Sequence, residues 1–118
     1  MRKSLTRQER LRGRSTFARL YASRRQASCP GVKIRYAGNG LTKNRIAISV
    51  TRKYGNAVER NRAKRIVREI YRNVKHELRV GFDIVVILYP GAVAFPDRRA
   101  QLYSLFRKAG LAGGKSLE

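Results

Sequence analysis

Few side chains in this sequence belong to the types that carry acid–base, metal-ion or nucleophilic chemistry. The chain has seven acidic residues, one histidine and one cysteine. The acidic residues are Glu9, Glu59, Glu69, Glu77, Asp83, Asp97 and Glu118. They are scattered without the spacing of a metal site, and the sequence shows no partner for His76 or Cys29. We therefore expect no catalytic residue and no metal ligand in the protein, and we keep a self-sufficient nuclease only as a hypothesis to test.

Basic side chains dominate the sequence instead. The chain carries 28 lysine and arginine residues against seven acidic ones, a formal net charge of +21. Such a charge repels itself in a compact fold, which indicates a polyanionic partner in the cell. Hydrophobic residues make up 42% of the 118-residue chain and recur periodically. The sequence therefore predicts one folded domain over residues 1–118 and not a disordered polycation.

Three features bear on where the protein acts. No apolar stretch approaches the roughly 20 residues that span a bilayer, so a membrane is not the expected partner. The N-terminal residues lack the apolar segment of a signal peptide, and the single cysteine, Cys29, rules out an intramolecular disulfide. We therefore expect a cytoplasmic protein.

The cations are concentrated in a predicted helix that starts after Asn56 and ends near His76. Asn56 is a suitable N-cap, and apolar residues recur at helical spacing along one side. That apolar side consists of Ala63, Ile66, Val67, Ile70 and Val74. The opposite side consists of Asn61, Lys64, Arg65, Arg68 and Arg72, with Arg60 and Arg62 at its borders. The pattern predicts an amphipathic helix with a strongly cationic outer face.

A cationic helix face is either a solvated surface or a contact for phosphates. Arginine outnumbers lysine on this helix, which favours planar, two-pronged contact with phosphate oxygens. Arg52 and Lys53 precede the helix N-terminus, whose free N–H groups and dipole also favour an anion. We therefore predict a nucleic acid as the partner. RNA is favoured over DNA because no DNA-binding motif is present and because Tyr36, beside Lys33 and Arg35, suits stacking on unpaired bases.

A first helix is predicted ahead of this region. Phe17, Leu20 and Tyr21 share one side of it, and periodicity favours a core-facing stripe for them. Pro30 and Gly31 are expected to end this helix.

Three strands and a last helix complete the predicted frame. The strands cover residues 32–36, 45–53 and 82–89. The first two are expected to pair as an antiparallel hairpin, and the third to be buried on both faces. The last helix begins near Pro96 and ends at Gly110, and residues 110–118 form a loose tail. Because a strand–helix–strand crossover is included, the pattern predicts an α+β sandwich with a mixed sheet, by default right-handed at the crossover.

Residues 49–65 resemble the signature of the bacterial ribonuclease P protein subunit. The resemblance rests on Ala57, Arg60-Asn61-Arg62, Lys64-Arg65 and Arg68. Four other parts of the sequence agree with it: an opening at 5–11, the helix with Phe17 and Tyr21, the strand at 81–86 and a closing helix. The resemblance covers about residues 4–109.

The resemblance implies a partner and an activity. Members of this family assemble with a large catalytic RNA, and the complex hydrolyses one phosphodiester of precursor tRNA to remove the 5′ leader. The RNA holds the catalytic Mg²⁺, so the protein is an accessory subunit of an endonuclease, without a tightly bound cofactor. Neither DNA nor a membrane is an implied partner. The alternative is a ribosomal or other structural RNA-binding protein.

The resemblance also implies sites. The expected RNA-binding residues are Arg52, Lys53, Asn56, Arg60, Asn61, Arg62, Lys64, Arg65 and Arg68. A cleft between the first helix and the sheet is expected to take the single-stranded leader, lined by Phe17, Tyr21 and Tyr36. This reverses the preference for Phe17 and Tyr21 as core residues only. For the fold, the resemblance implies a sheet of about four strands and a left-handed crossover in place of the right-handed default.

Overall fold

The computed structural model describes residues 10–11, 13–91 and 94–112. The predicted opening at residues 5–9 and the part of the predicted tail beyond Ala112 lie outside them. The described helices are α1 (Arg14–Ala22), α2 (Ala57–Val74) and α3 (Phe95–Lys108). The strands are β1 (Gln26–Cys29), β2 (Val32–Gly38), β3 (Arg45–Val50) and β4 (Phe82–Leu88). Single 3-10 turns at Arg52–Tyr54 and Lys75–Glu77 flank α2.

The four strands form one mixed sheet in the order β1-β2-β4-β3. β1 pairs with β2 and β2 with β4 in antiparallel fashion, whereas β3 and β4 run parallel. α2 is therefore the crossover between two adjacent parallel strands. The predicted α+β architecture with a mixed sheet is confirmed, and the handedness of the crossover stays a prediction from the resemblance.

The predicted hairpin between residues 32–36 and 45–53, which are β2 and β3 in the structure, is wrong. β4 lies between β2 and β3 and hydrogen-bonds to both. β4 is the most apolar strand, and residues Ile84 to Leu88 are all buried, as the sequence predicted. A strand that is apolar on both faces buries the most apolar surface at an inner position of the sheet. This preference overrides the pairing of strands that are neighbours along the chain.

β1 is a strand that the sequence pattern did not reveal. Pro30 and Gly31 do not end α1, which stops at Ala22; they form the two-residue turn between β1 and β2, with Cys29 paired to Val32. Gly31 has φ 90°, a left-handed conformation that glycine adopts without steric cost. β1 has only four residues, and its two inward side chains, Ala27 and Cys29, are small, so the alternation was too short to give a signal.

Helices cover both faces of the sheet. α2 and α3 pack on one face around the main core, which includes Ile34, Ile84, Val86, Val67 and Phe106. α1 packs on the other face, where a smaller cluster consists of Leu11, Leu20, Val85 and Ile87. The two clusters follow the alternation of β4, whose even-numbered and odd-numbered residues point to opposite faces.

The ends of α2 and α3 explain why these helices start and stop where they do. Asn56 Oδ1 accepts a hydrogen bond from the Glu59 backbone N–H at 2.9 Å, and Glu59 Oε1 accepts one from the Asn56 N–H at 2.9 Å. This capping box confirms the predicted N-cap. α3 has a proline in its first turn and ends at Lys108, two residues before Gly110, whose φ is 78°. The N–H of Leu111 donates to the Phe106 carbonyl at 2.8 Å, the closing hydrogen bond of a Schellman motif.

Candidate nucleic-acid interface

α2 presents its cations as the sequence predicted. Its buried side consists of Ala63, Val67, Ile70, Tyr71 and Val74. Of the predicted RNA-binding residues, the exposed ones are Arg52, Lys53, Asn56, Asn61, Arg62, Arg65 and Arg68, and the half-buried ones are Arg60 and Lys64. The capping box fixes the first turn of the helix, so the exposed set is carried on a rigid element next to the free N–H groups of the N-terminus.

The acidic residues of α2 leave most of this charge in place. Glu59 is engaged in the capping box, and Glu69 pairs with Arg72 at 2.7 Å. Among the described residues, no carboxylate pairs with Arg62 or Arg65. The unpaired cations and the dipole of the N-terminus therefore combine into a positive surface on the first half of α2.

Arg60 differs from the other cations of the motif. Its Nη2 donates to the Val50 carbonyl over 3.4 Å, a weak hydrogen bond that links the first turn of α2 to the end of β3. Its Nε and the hydroxyl of Thr51 are buried without a hydrogen-bond partner among the described residues. The structure thus holds Arg60 against β3, at the border of the cationic face where the helical pattern predicted it.

A groove continues this surface onto the β3 edge of the sheet. Lys64 and Arg68 line it together with Arg10, Ile46 and Ile48, around a cavity of about 270 Å³. The segment at Arg10 reaches this place because the Leu11 N–H donates to the Ile46 carbonyl at 2.9 Å. Sequence reasoning missed Arg10, since nothing in the local pattern indicates which strand edge the N-terminal segment joins.

The opposite face of the sheet carries an aromatic pair. The rings of Phe17 and Tyr21 on α1 stack with centroids 6.4 Å apart. Leu20 between them is fully buried, Phe17 is half-buried, and Tyr21 is 44% exposed. The Arg35 guanidinium lies 6.0 Å from the Tyr21 ring centroid, within the range of a cation–π contact. In this α1 stripe, Leu20 therefore packs in the core, whereas Tyr21 forms an exposed aromatic surface.

Tyr36 does not join this pair, although the sequence placed all three residues in one cleft. Tyr36 is opposite Ile84 in the sheet and packs with the main core, its ring edge-on to Phe82 at 6.3 Å. Its neighbour Arg35 is opposite Val85, on the α1 face. Successive strand residues point to opposite faces, so a difference of one position moves Tyr36 to the far side of the sheet and leaves Arg35 beside Tyr21.

A buried ion-pair network fixes α1 on the sheet. Asp83 in β4 is fully buried, and each of its carboxylate oxygens accepts two hydrogen bonds. Arg45 donates twice at 2.8 Å, Arg19 of α1 once at 2.8 Å, and Asn39 once at 3.0 Å. Burial alone raises the pKa of Asp83, but the hydrogen bonds from Arg45 and Asn39 and the two nearby charges outweigh burial and hold that pKa below its usual value.

Sequence reasoning treated Asp83 as one of several scattered acids. The available signal was a carboxylate inside an otherwise apolar strand, because a buried charge needs partners. Among the described residues, no three His, Cys, Asp or Glu side chains are grouped so that they could hold a metal ion. Within the same residues, no helix combines the length and apolar character of a membrane span.

The fold and the site together define a class: a small α+β protein whose single mixed sheet carries a capped, cationic crossover helix on one face and an aromatic helix on the other. The model of the Ribonuclease P family matches residues 5–110. The chain belongs to this family, as the signature at 49–65 indicated.

Relatives of known identity agree with this assignment. The chain is 37% identical over 111 residues to the ribonuclease P protein component of Dictyoglomus thermophilum, covering 91% of this chain and 92% of that one. It is 42% identical over 87 residues to the ribonuclease P protein component of Thermotoga maritima, covering 74% of each. The solved RNase P protein from Thermotoga maritima superposes with a TM-score of 0.74 at 36% identity, over 84% of this chain and 96% of that one. The RNase P protein of Staphylococcus aureus gives 0.81 at 26% identity, over 89% and 98%.

Proposed function

We propose that this chain is the protein component of a ribonuclease P, which binds a large catalytic RNA and assists the removal of the 5′ leader from precursor tRNA. The observation that carries this proposal is the exposed, cationic first half of α2 in a member of the Ribonuclease P family. Such a ribonucleoprotein would act in the cytoplasm.

The first half of α2 is proposed to bind the catalytic RNA. Arg62, Arg65 and Arg68 are exposed on successive turns, and Arg52 and Lys53 extend the surface beyond the helix start. Guanidinium groups bind phosphate oxygens through two parallel hydrogen bonds, and neutralised phosphates release counterions. Because the helix is capped and packed on the sheet, these side chains need little backbone ordering to bind.

The α1 face is proposed to bind the single-stranded leader. Tyr21 and Phe17 offer ring faces for unpaired bases, and Arg35 adds a charge for a phosphate beside them. Arg35 takes the position in this site that the sequence had given to Tyr36. The Arg19–Asp83 ion pair holds α1, and with it both rings, in place.

The bond-breaking chemistry is proposed to lie with the RNA and its Mg²⁺. The best-buried carboxylate of the described chain, Asp83, already accepts four hydrogen bonds, so its oxygens have no lone pair left for a cation. In this proposal the side chains of the protein bind and orient the two RNAs.

Reconstitution tests the proposal. The purified chain is incubated with precursor tRNA and Mg²⁺, with and without a bacterial ribonuclease P RNA. We expect no cleavage by the chain alone and faster cleavage at the 5′ leader junction when both components are present. Cleavage by the protein alone would identify a self-sufficient nuclease. Binding of RNA without stimulated cleavage would favour a structural RNA-binding protein.

A further inference from the structure

The outer side of α3 carries an open groove that is separate from both surfaces described above. It has a volume of about 650 Å³ and is lined mainly by Arg99, Ala100, Tyr103, Ser104, Arg107 and Lys108. The opposite side of α3 is buried in the main core through Leu102, Leu105 and Phe106. α3 is therefore amphipathic, and its outer side combines small, aromatic and cationic residues.

The groove combines exposed cations with an aromatic ring that a hydrogen bond holds in place. Arg99 and Arg107 lie one helical turn before and after Tyr103, and with Lys108 they are exposed. The Tyr103 hydroxyl donates to Glu77 Oε1 at 2.9 Å, which holds the half-buried ring in one position and raises the pKa of Tyr103. Glu77 is thus engaged, and three cations surround an anchored ring.

The groove lies far from the motif at the start of α2. Glu77, which anchors Tyr103, belongs to the turn that follows the last residue of α2. α2 has 18 residues, and a helix of that length is about 27 Å long. The capping box and the α3 groove are therefore at opposite ends of α2.

We propose that the α3 groove is a third RNA-binding surface, which takes an unpaired stretch of RNA with phosphates on Arg99, Arg107 and Lys108 and one base on the Tyr103 ring. The proposal rests on the proposed function only in taking RNA as the ligand. An aromatic ring flanked by cations suits a flexible strand, because every base has a face to stack and every linkage a charge to pair. Ala100 and Ser104 leave room for a backbone to approach the helix.

Photo-crosslinking of the full chain to a ten-residue oligouridylate that contains 4-thiouridine locates the contact directly. We expect crosslinked peptides from α3 at Tyr103 in addition to any from α2 or α1. Crosslinks confined to α2 and α1 would overturn the α3 surface and leave the proposed function intact, because reconstituted cleavage reports on that function independently.

Two variant pairs test the residues of the groove by fluorescence anisotropy with the same oligonucleotide. Arg107→Ala should make the slope of log affinity against log salt shallower by about 0.7, the value for one phosphate contact on a single strand. Lys43→Ala, which removes one charge from the loop between β2 and β3, should leave the slope unchanged. Equal slopes for both variants would contradict the proposal.

The second pair separates the ring from its hydroxyl. Tyr103→Phe keeps the ring, so we expect the α3 crosslink to persist, whereas Tyr103→Leu keeps an apolar side chain without a ring face and should lose it. An α3 crosslink that survives in Tyr103→Leu would exclude base stacking. Since Arg107 is exposed, its variant remains informative if Tyr103→Leu fails to fold.

Discussion

The Arg19 guanidinium of α1 lies 2.8 Å from the carboxylate of Asp83 in the central strand. The Asp83 side chain is fully buried, whereas the Arg19 side chain is 48% exposed. Arg45 of β3 reaches the same carboxylate oxygen at 2.8 Å. One carboxylate thus connects the first helix, the central strand and the edge strand, and it determines where the aromatic pair of α1 lies on the sheet.

Asp83→Asn should destabilise the protein markedly. The amide keeps the shape of the side chain but leaves the charges of Arg19 and Arg45 without their anion. Breaking a buried pair costs about 3–5 kcal/mol, and the partial exposure of both arginines reduces the expected loss to about 2–3 kcal/mol. Urea unfolding measures it as a lower midpoint. Glu69→Gln, which breaks the exposed pair with Arg72, is the control and should change stability by less than about 1 kcal/mol.

The contribution of Asp83 to the free energy of unfolding should also depend on pH. The pKa of this carboxyl is lower in the folded protein than its ordinary value. A lowered folded-state pKa means that its stabilisation is fully present above the unfolded-state pKa, about 3.9, and is lost as pH falls through the folded-state pKa. The difference in unfolding free energy between the original protein and Asp83→Asn should be constant from pH 7 to about 5 and shrink below about pH 4. A difference unchanged at pH 3 would contradict the assigned network.

The capping box of α2 should show coupling between Gly55 and Glu59. A Cβ on residue 55 would overlap the Glu59 carboxylate, so Gly55→Ala should displace this cap and cost about 1–2 kcal/mol of unfolding free energy. In a Glu59→Ala background the overlap is gone, and the same change at Gly55 should cost less. A double-mutant cycle by thermal unfolding measures the coupling. Additive losses would show that the two residues do not interact in the way the structure indicates.

Replacing an unpaired cation of α2 should weaken the binding of the catalytic RNA more than replacing a cation that already pairs with a carboxylate. If about six phosphates are neutralised, log affinity against log salt should slope near −4 to −5, at about 0.7–0.9 per contact. Arg65→Ala should make the slope shallower by about 0.7–0.9. Arg72→Ala on the same helix is the control with a smaller expected effect, because Glu69 already pairs with Arg72. A slope near zero in the original protein would remove the electrostatic basis of the proposed function.

The aromatic face should discriminate between substrates with and without a leader. Tyr21→Leu removes a ring worth about 1–3 kcal/mol per stacked base, so affinity for precursor tRNA should fall roughly tenfold with little change for mature tRNA. Tyr36→Leu is the matched control, since its ring packs on the other side of the sheet. Both affinities are measured with the assembled protein–RNA complex. A selective loss with Tyr36→Leu as large as that with Tyr21→Leu would restore the original cleft assignment, and no loss with Tyr21→Leu would contradict the aromatic site.

The sequence by itself determined the features that depend on neighbours along the chain. The cap at Asn56, the buried side of α2 and its cationic side follow from helical spacing, and the apolar run of β4 required burial on both faces. The same local motif sufficed to indicate the family. These properties are settled within a few turns or one strand, so a linear pattern contains them.

Only the tertiary structure decided which elements meet. The partners of Asp83 come from residues 19, 39 and 45, and nothing in the spacing of these residues predicts that they share one carboxylate. β4 enters between β2 and β3, and this pairing settles that Arg35, and not Tyr36, lies on the face of α1. A local pattern fixes which side of an element is apolar, but the neighbour on that side is selected by the burial of the whole sheet. For that reason the cationic helix could be predicted from the sequence, whereas the composition of the aromatic site could not.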